Sequence, residues 1–383
     1  MTTNITIGVS HDYSTSDVGA VPLTQRRSLY HFTALWITLA AGFTYLFLGF
    51  QYHDYGYSLW RAVGAGAVGA VAYLIYALPA AYLGSRTGLT HALLTRSIFG
   101  KVGSVVVSLI LIGVAAGWTA FAFNLLATLY DGLFSWDNVV LISIVLAIVG
   151  VTNNVFGFGG IAAFARYLVA PLMILWMLYL VIKGLTSIPA ATLATGTGTG
   201  DNLPFLSGVG LAIGAVMWGN EPDTWRYGKP KFFWPTLPLV IAFAIGLVLF
   251  VAGGWMIAQL SGAGQYDFGP GFRYAVEYSL FGVLWLGAVV ATVLQIAIND
   301  GNYYEMINAG QNLFGWKRIY TCLLMAGVAA VFAWWFPHLE NGFFSIAGWT
   351  SIALPSATVV MCVDRFVLPR ISGVTRPEAV PRW

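Results

Sequence analysis

The sequence is poor in charged residues and in cysteine. Asp, Glu, Lys and Arg make up only 9% of its 383 residues, against about 25% in an average soluble protein. The hydrophobic fraction is 58% and the mean hydropathy is +0.77, which excludes the soluble classes and indicates a polytopic α-helical membrane protein. Cys322 and Cys362 both lie in apolar runs, where they are typical of packing residues and not of a disulfide framework or a metal site.

The sequence also lacks the patterns of an enzyme. Its five histidines are scattered, and it contains no nucleophile–base constellation, metal-ligand cluster or phosphate-binding loop. We therefore expect no catalytic activity, no metal and no cofactor. The expected partners are the lipid bilayer and a small molecule, not nucleic acid, and no oligomeric state is predicted.

Ten apolar segments are candidates to cross a bilayer, for which a helix needs about 20 residues. A Thr- and Gly-rich segment, 185–203, divides them five and five. The ten segments are 30–52, 58–83, 103–130, 138–157, 163–184, 204–221, 235–260, 278–305, 318–336 and 342–366.

The positions of the basic residues predict the orientation of these helices. With the N-terminus cytoplasmic, all of the 18 Lys and Arg residues fall on the inner side except Arg61, Lys183 and Arg273. The first 25 residues are polar and lack the apolar core of a signal peptide. We therefore expect the protein to lie in the cytoplasmic membrane, with both termini in the cytoplasm. The predicted divisions are a cytoplasmic tail (1–29), a first five-helix repeat (30–184), an extracellular loop (185–203), a second five-helix repeat (204–366) and a cytoplasmic tail (367–383).

Two five-helix blocks that start on opposite sides fit the inverted-repeat plan of secondary transporters. In that plan the first helix of each block is discontinuous, and the substrate lies at the breaks. In the first helix, small residues precede Phe43. A break near 41–44 would free backbone carbonyls around Ala40 and Gly42 for a cation and would let Phe43 face a ligand. The alternative is a continuous helix whose small residues allow close packing.

The sixth segment ends in the polar stretch WGNEPDTWRYGKPK, residues 218–231. Gly214, Gly219 and Pro222 weaken helix propagation there. Glu221 and Asp223 have two interpretations: they pair with the basic residues that follow, or Glu221 lines the inner half of a transport pathway and titrates during transport.

Two further segments carry polar or aromatic candidates. Trp118, in VAAGWTAFAFN, offers a flat surface on which a planar ring could stack, although most of the 15 tryptophans must face lipid. Asn299 and Asp300 lie deep in the eighth segment, where an acid costs at least ~2.5–3.5 kcal/mol and usually faces a cavity or a partner. Both can hydrogen-bond ring N–H or amine groups. The alternative is that this helix ends early, with Asp300 at its cytoplasmic mouth.

Several of these motifs together resemble the nucleobase–cation symporter-1 family, in particular its cytosine permease-like branch. They are GSRTGLTHALLTRSIFGKVGS at 84–104, GW at 117–118, DTWRY at 223–227 and ND at 299–300, and the resemblance covers roughly residues 25–370.

The resemblance implies a LeuT-type fold, all-α with ten transmembrane helices in a 5+5 inverted repeat and with helices 1 and 6 discontinuous. It also implies a stacking role for Trp118, a place near the ligand for Phe43, and a polar pair at Asn299 and Asp300. Gly214 and Val216 match the helix 6 positions that usually hold an aromatic and a small polar residue.

The sequence departs from the family pattern at three places. Ala297 and Ile298 stand where the family has two sodium-binding hydroxyl side chains, so a proton on Asp300 or Glu221 is the expected substitute. Gly214 and Val216 lack the usual pocket groups, and Trp218 is expected to fill that space. Most members have twelve helices, and this sequence shows ten.

The predicted function is a symporter that imports a nucleobase or a related small nitrogen heterocycle (purine-, pyrimidine- or cytosine-like) by alternating access. Coupling to a proton is favoured over coupling to sodium. The alternatives are a non-transporting ligand-sensing membrane protein and an uncoupled uniporter, both on the same fold.

Overall fold

A computed structural model describes residues 19–40, 42–196, 203–217, 219, 221–339, 342–373 and 375–376. The regular elements in these ranges are all helices. The principal ones are α1 (Leu29–Ala40), α2 (Phe43–Asp54), α3 (Leu59–Thr87), α4 (His91–Phe134), α5 (Val139–Val149), α6 (Gly157–Ser187), α7 (Phe205–Val216), α8 (Glu221–Trp225), α9 (Thr236–Ser261), α10 (Phe268–Ser279), α11 (Leu284–Phe314), α12 (Arg318–His338) and α13 (Gly342–Ser372).

Within the described ranges, seven of these helices are long and apolar enough to cross a membrane: α3, α4, α6, α9, α11, α12 and α13. An eighth span forms if α1 and α2, which meet at a 45° bend, count as one. The remaining two predicted segments correspond to α5 and α7, which are apolar but shorter. The all-helical membrane fold is therefore confirmed, whereas the count of ten spans and the 5+5 repeat stay predictions.

Some predicted boundaries differ from the helices. The segment predicted at 278–305 begins only at Leu284, because Phe281 and Gly282 adopt positive φ angles of 58° and 70° and separate α10 from α11. At its other end, α11 continues to Phe314. Helix α13 likewise continues past residue 366 to Ser372, and the predicted loop 185–203 contains a short helix at Ala190–Thr195.

The motif at 84–104 begins with a tight turn between α3 and α4. Gly88 ends α3 in the left-handed conformation, at φ 75°, which is the usual role of glycine after a helix. Thr90 then caps α4, its side-chain oxygen accepting the Leu93 N–H at 3.3 Å. A side chain at Gly88 would also meet the backbone of Val21. These contacts explain why the turn needs this Gly and this Thr.

The helices pack in two groups on either side of the centre. One group contains α1, α2, α3, α7 and α9, and the other contains α4, α5, α11 and α12. In the first group glycines bring backbones into direct contact: a Cβ at Gly254 would overlap the Leu46 carbonyl, and one at Gly66 would overlap the Leu247 carbonyl. Close approach at small residues is the usual basis of helix association in membranes.

Candidate functional site

Two helix breaks meet near the centre of the molecule. Between α1 and α2, Gly42 is extended (φ −168°), and its carbonyl accepts the N–H groups of Tyr45 (3.0 Å) and Leu46 (3.3 Å). Between α7 and α8, Met217 is extended (φ −70°, ψ 109°), and helical structure resumes at Glu221. The family resemblance implied both breaks, although the apolar run of the first helix also allowed a continuous helix; both breaks open beside the same cavity.

The cavity is small, about 30 Å³, so its opposite walls lie close together. Its walls come from both groups of helices and from α13. Its walls are mainly apolar, with a few polar groups, as in typical small-molecule sites. It is lined by Thr44, Tyr45, Val114, Ala115, Trp118, Ala122, Ala215, Met217, Ile298, Asn302, Glu305 and Leu354.

Trp118 forms part of this wall, as its predicted stacking role requires. Its indole N–H donates to the Thr350 hydroxyl at 2.7 Å. The rings of Phe121 and Phe343 meet it edge-on, each at a centroid distance of 5.9 Å. These contacts hold the indole in one orientation at the cavity; its contact with a ligand stays a prediction.

Asn299 and Asp300 do not line the cavity, contrary to the expectation that they face the substrate. The Asp300 carboxylate accepts hydrogen bonds from the side-chain amides of Asn153 (3.1 Å) and Asn154 (3.2 Å), which follow α5. Nor does Asp300 lie at the mouth of its helix, because α11 continues to Phe314.

Asn299 reaches the cavity only through a neighbour. Its amide nitrogen donates to the Gln295 carbonyl at 2.8 Å, and its amide oxygen accepts from the side chain of Asn302 at 3.1 Å. Asn302 is the residue that lines the cavity.

Phe43, Gly214 and Val216, which were predicted to face the ligand, do not line the cavity; residues next to them in the sequence do. Phe43 packs against Phe272 and Trp176, at centroid distances of 5.0 and 6.0 Å, while the next two residues of α2 line the cavity. A Cβ at Gly214 would face Ser351 and Ala347 of α13, and Val216 is fully buried outside the cavity wall. Trp218 lies outside the described residues.

The residues predicted for ion coupling separate into two places. Ala40 and Gly42 are buried at the first break, where a Cβ at Gly42 would lie 3.1 Å from the Ile298 side chain. Glu221 is fully buried at the second break, where its carboxylate accepts a hydrogen bond from the Tyr73 hydroxyl at 2.7 Å.

The surroundings of Glu221 do not match the interpretation that it pairs with the basic residues that follow it, because among the described residues it forms no ion pair. Asp223 ties three helices together. It accepts the backbone N–H of His91 at 3.0 Å and the side-chain amide of Asn308 at 2.7 Å.

Glu305 and Asn302 are cavity residues that the sequence did not single out. Glu305 lies less than two turns beyond Asp300 on α11, and its side chain is only 4% exposed. A second acid in the same run is the signal that could have identified it, but the predicted segment ends at residue 305, which places Glu305 at the membrane edge.

The structure predicts a stabilising role for Asp300. Asp300→Asn keeps the size of the side chain. It replaces one of the two carboxylate oxygens that accept from Asn153 and Asn154 with an NH₂ group, which can only donate. Because asparagine keeps one carbonyl oxygen, one of the two amide donors loses its acceptor, which costs about 1–3 kcal/mol. We therefore expect a lower melting temperature in detergent and, as a result, reduced uptake. Asp267→Ala, which removes an exposed carboxylate, is the control. A melting temperature for Asp300→Asn equal to that of the wild type would contradict this role.

Comparison with known proteins identifies relatives of this chain. No family model matches it. It is 24% identical over 324 residues to the cytosine permease of Escherichia coli strain K12, an alignment that covers 82% of this chain and 71% of the permease. The cytosine permease of Escherichia coli O157:H7 matches with the same identity and coverage.

Solved structures share the fold. Mhp1, a nucleobase-cation-symport-1 family transporter, in a closed conformation with bromovinylhydantoin bound, superposes with a TM-score of 0.75 at 16% identity, covering 92% of this chain and 81% of that one. The inward-facing conformation of Mhp1 gives a TM-score of 0.71, again at 16% identity, with 92% and 79% covered. MhsT in complex with L-phenylalanine gives 0.57 at 13% identity, with 91% and 90% covered.

The cytosine permeases and Mhp1 are transporters and not enzymes. The resemblance first read from short motifs is confirmed: the chain is a homologue of the cytosine permeases, and its fold is that of a nucleobase-cation-symport-1 transporter.

Proposed function

We propose that the chain is a symporter of the cytoplasmic membrane that imports a nucleobase or a related small nitrogen heterocycle by alternating access, driven by a proton and not by sodium. The observation that carries this proposal is the narrow central cavity, which lies where both helix breaks meet and has the fixed Trp118 indole on its wall. Broken helices at a central site are the usual construction of secondary transporters.

The substrate class is supported by the cavity and by the relatives together. A narrow, mainly apolar space beside an indole suits a planar ring, which gains stacking and apolar contact. The matched permeases are named for cytosine, and one superposed structure holds bromovinylhydantoin; both compounds contain a flat nitrogen ring. Trp118 would stack on the ring.

The polar edge of the ring would then meet Asn302, whose side chain is oriented by Asn299. Asn299 therefore acts as a positioning residue in this proposal. Asp300, Phe43, Gly214 and Val216 would support the walls from behind. Trp218 remains a proposed wall residue from its place in the sequence.

The residues at the first helix break are a poor fit to sodium. Hard cations such as Ca²⁺ and Mg²⁺ take about six oxygen ligands, but Ala297 and Ile298 have no side-chain oxygen. The Gly42 carbonyl already accepts two backbone N–H groups. The Gln295 side-chain oxygen is buried without a hydrogen-bond partner in the described part of the chain, but a single such oxygen is not a cation site. These features favour a proton as the coupling ion.

Uptake into proteoliposomes tests the function and the coupling ion in one experiment. We expect radiolabelled cytosine or a hydantoin to accumulate when the outside is acidic, and an inward sodium gradient at equal pH to add nothing. Protein-free vesicles are the control. Accumulation driven by sodium would overturn the assignment of the proton. Equilibration without accumulation under either gradient would identify a uniporter, and binding without flux would identify a sensing protein.

A further inference from the structure

Glu305 lines the central cavity with a carboxyl group, one oxygen of which lacks a hydrogen-bond partner in the described part of the chain. Its side chain is 4% exposed and lines the cavity together with Trp118 and Asn302. Its Oε1 atom has no hydrogen-bond partner among the described residues, and no ion pair is formed with it there. An unsatisfied buried polar atom costs about 1–3 kcal/mol, so a hydrogen bond from a ligand in the cavity would stabilise this carboxyl group.

The groups that face Glu305 do not neutralise a negative charge on it. From α8, Glu221 and Asp223 interact with it electrostatically, with the same sign of charge. Tyr76 of α3 interacts with it as well, and Tyr45 of α2 shares the cavity wall. From α4 and α13 the cavity wall presents apolar side chains and the Trp118 indole.

Two basic groups of the neighbouring elements have other partners among the described residues. The His91 ring of α4 approaches the Gly219 carbonyl, with 2.5 Å between Nδ1 and the oxygen. The Arg226 guanidinium, which follows α8, donates to the Tyr304 hydroxyl at 2.9 Å. The charge of a Glu305 carboxylate would therefore have to be neutralised by a proton or by what enters the cavity, since a buried unpaired charge is costly.

The two protonation states of a carboxyl group recognise different edges of a heterocycle. A carboxylate only accepts hydrogen bonds, whereas a protonated carboxyl carries one donor and one acceptor side by side. The protonated form therefore matches an amide edge, in which N–H adjoins C=O, and an amidine edge, in which a ring nitrogen adjoins an amino group. Nucleobases and hydantoins carry such edges.

We propose that Glu305 binds both the substrate and the coupling proton: its protonated carboxyl pairs with an amide or amidine edge of the heterocycle, so that one proton is bound with each substrate molecule. The only bond change is a proton transfer: the carboxylate takes a proton from hydronium before or during binding, which forms its O–H bond and leaves water, and it returns the proton to water when the substrate is released on the other side. This inference rests on the proposed function and assigns its coupling site to Glu305, in place of Asp300 or Glu221.

Glu305→Gln is the decisive variant, because glutamine permanently presents the donor and acceptor that only the protonated carboxyl has. For the wild type, we expect cytosine affinity to fall about tenfold per pH unit once Glu305 loses its proton, since one proton is linked to binding. For Glu305→Gln, affinity should stay within a few-fold of the wild type at low pH and become independent of pH. Counterflow should survive, but a pH gradient should no longer drive accumulation. Glu305→Leu should lose binding.

Two measurements keep the test decisive. Glu277→Gln is the matched control, because Glu277 is exposed and pairs with Arg273, so its pH dependence should equal that of the wild type. If Glu305→Gln does not fold, two measurements on the wild type replace that variant. The first is the number of protons taken up from a weak buffer when cytosine is added, and the second is an infrared difference spectrum that detects a protonated carboxyl group. Uptake of about one proton and such a band would support the proposal, and their absence would overturn it.

The outcomes also separate this inference from the proposed function. A wild-type protein that binds no nucleobase or hydantoin at any pH refutes the function itself. A wild type that transports cytosine, with a Glu305→Gln variant that keeps the same pH dependence, refutes only the assignment to Glu305. Loss of the pH dependence in Glu221→Gln alone would move the proton site to α8.

Discussion

Replacing Trp118 with alanine is expected to reduce heterocycle uptake to nearly the level of protein-free vesicles while leaving the protein folded. Stacking of a base on an aromatic side chain is worth about 1–3 kcal/mol per base, and 1.4 kcal/mol is a factor of ten in affinity. The binding constant should therefore weaken roughly 10- to 100-fold. Uptake measured below saturation should fall at least as far, since Ala also leaves the cavity without its fixed wall.

Two variants show whether the loss is specific. Trp118→Phe keeps a stacking ring but loses the indole hydrogen bond to Thr350, so we expect intermediate uptake. Trp349→Ala removes a tryptophan of α13 that is 72% exposed and should transport as the wild type does. Full uptake by Trp118→Ala, or an equal loss in Trp349→Ala, would refute the stacking site.

Replacing Gly254 with alanine is expected to destabilise the protein severely. The added Cβ would occupy the position of the Leu46 carbonyl, and the Leu46 Cα would also lie only 3.1 Å away. Overpacking costs typically 1–3 kcal/mol, and the upper end or more applies here because the obstacle is backbone, which cannot rotate aside. Helices α2 and α9 would have to separate. We expect little monodisperse protein in detergent and a much lower melting temperature.

A glycine in open surroundings provides the comparison for Gly254. Gly327 of α12 has nothing within 4 Å of the position of a Cβ, so Gly327→Ala should leave the melting temperature unchanged or raise it slightly. Alanine favours a helix over glycine by about 1 kcal/mol. Equal behaviour of the two variants would show that the contact between α2 and α9 is not tight in the membrane-embedded protein.

The helices were predictable from the sequence because a membrane imposes one simple requirement, a long apolar segment whose backbone is satisfied internally. The second break was predictable because Gly219 and Pro222 weaken the helix where they lie. The first was implied only by the family resemblance, because the small residues before Phe43 are equally compatible with a continuous helix. The ends of α11 were harder to predict. They depend on Phe281 and Gly282 adopting positive φ angles and on burial of the polar stretch after Asp300, which apolar runs do not reveal.

The direction of each side chain was the part that the sequence could not supply. Successive helix residues point about 100° apart. After a helix break, the side-chain directions can no longer be extrapolated from the residues before the break, because packing determines how the second helix is rotated. Phe43 was therefore expected at the cavity, where Thr44 and Tyr45 lie. Asp300 illustrates a second difficulty: an acid inside a membrane helix needs a partner, but the partner proved to be the Asn153–Asn154 pair and not a ligand.

The cavity walls belong to two separately packed groups of helices, and this has a consequence for how compounds would act on the protein. Tyr45 and Met217 come from one group, and Trp118 and Asn302 from the other. A compound that touches both walls favours their approach, because a ligand shifts a conformational equilibrium only by its differential affinity for the two states. A heterocycle whose substituent holds the walls apart would occupy the same site without being carried, and such compounds are the expected starting point for competitive inhibitors.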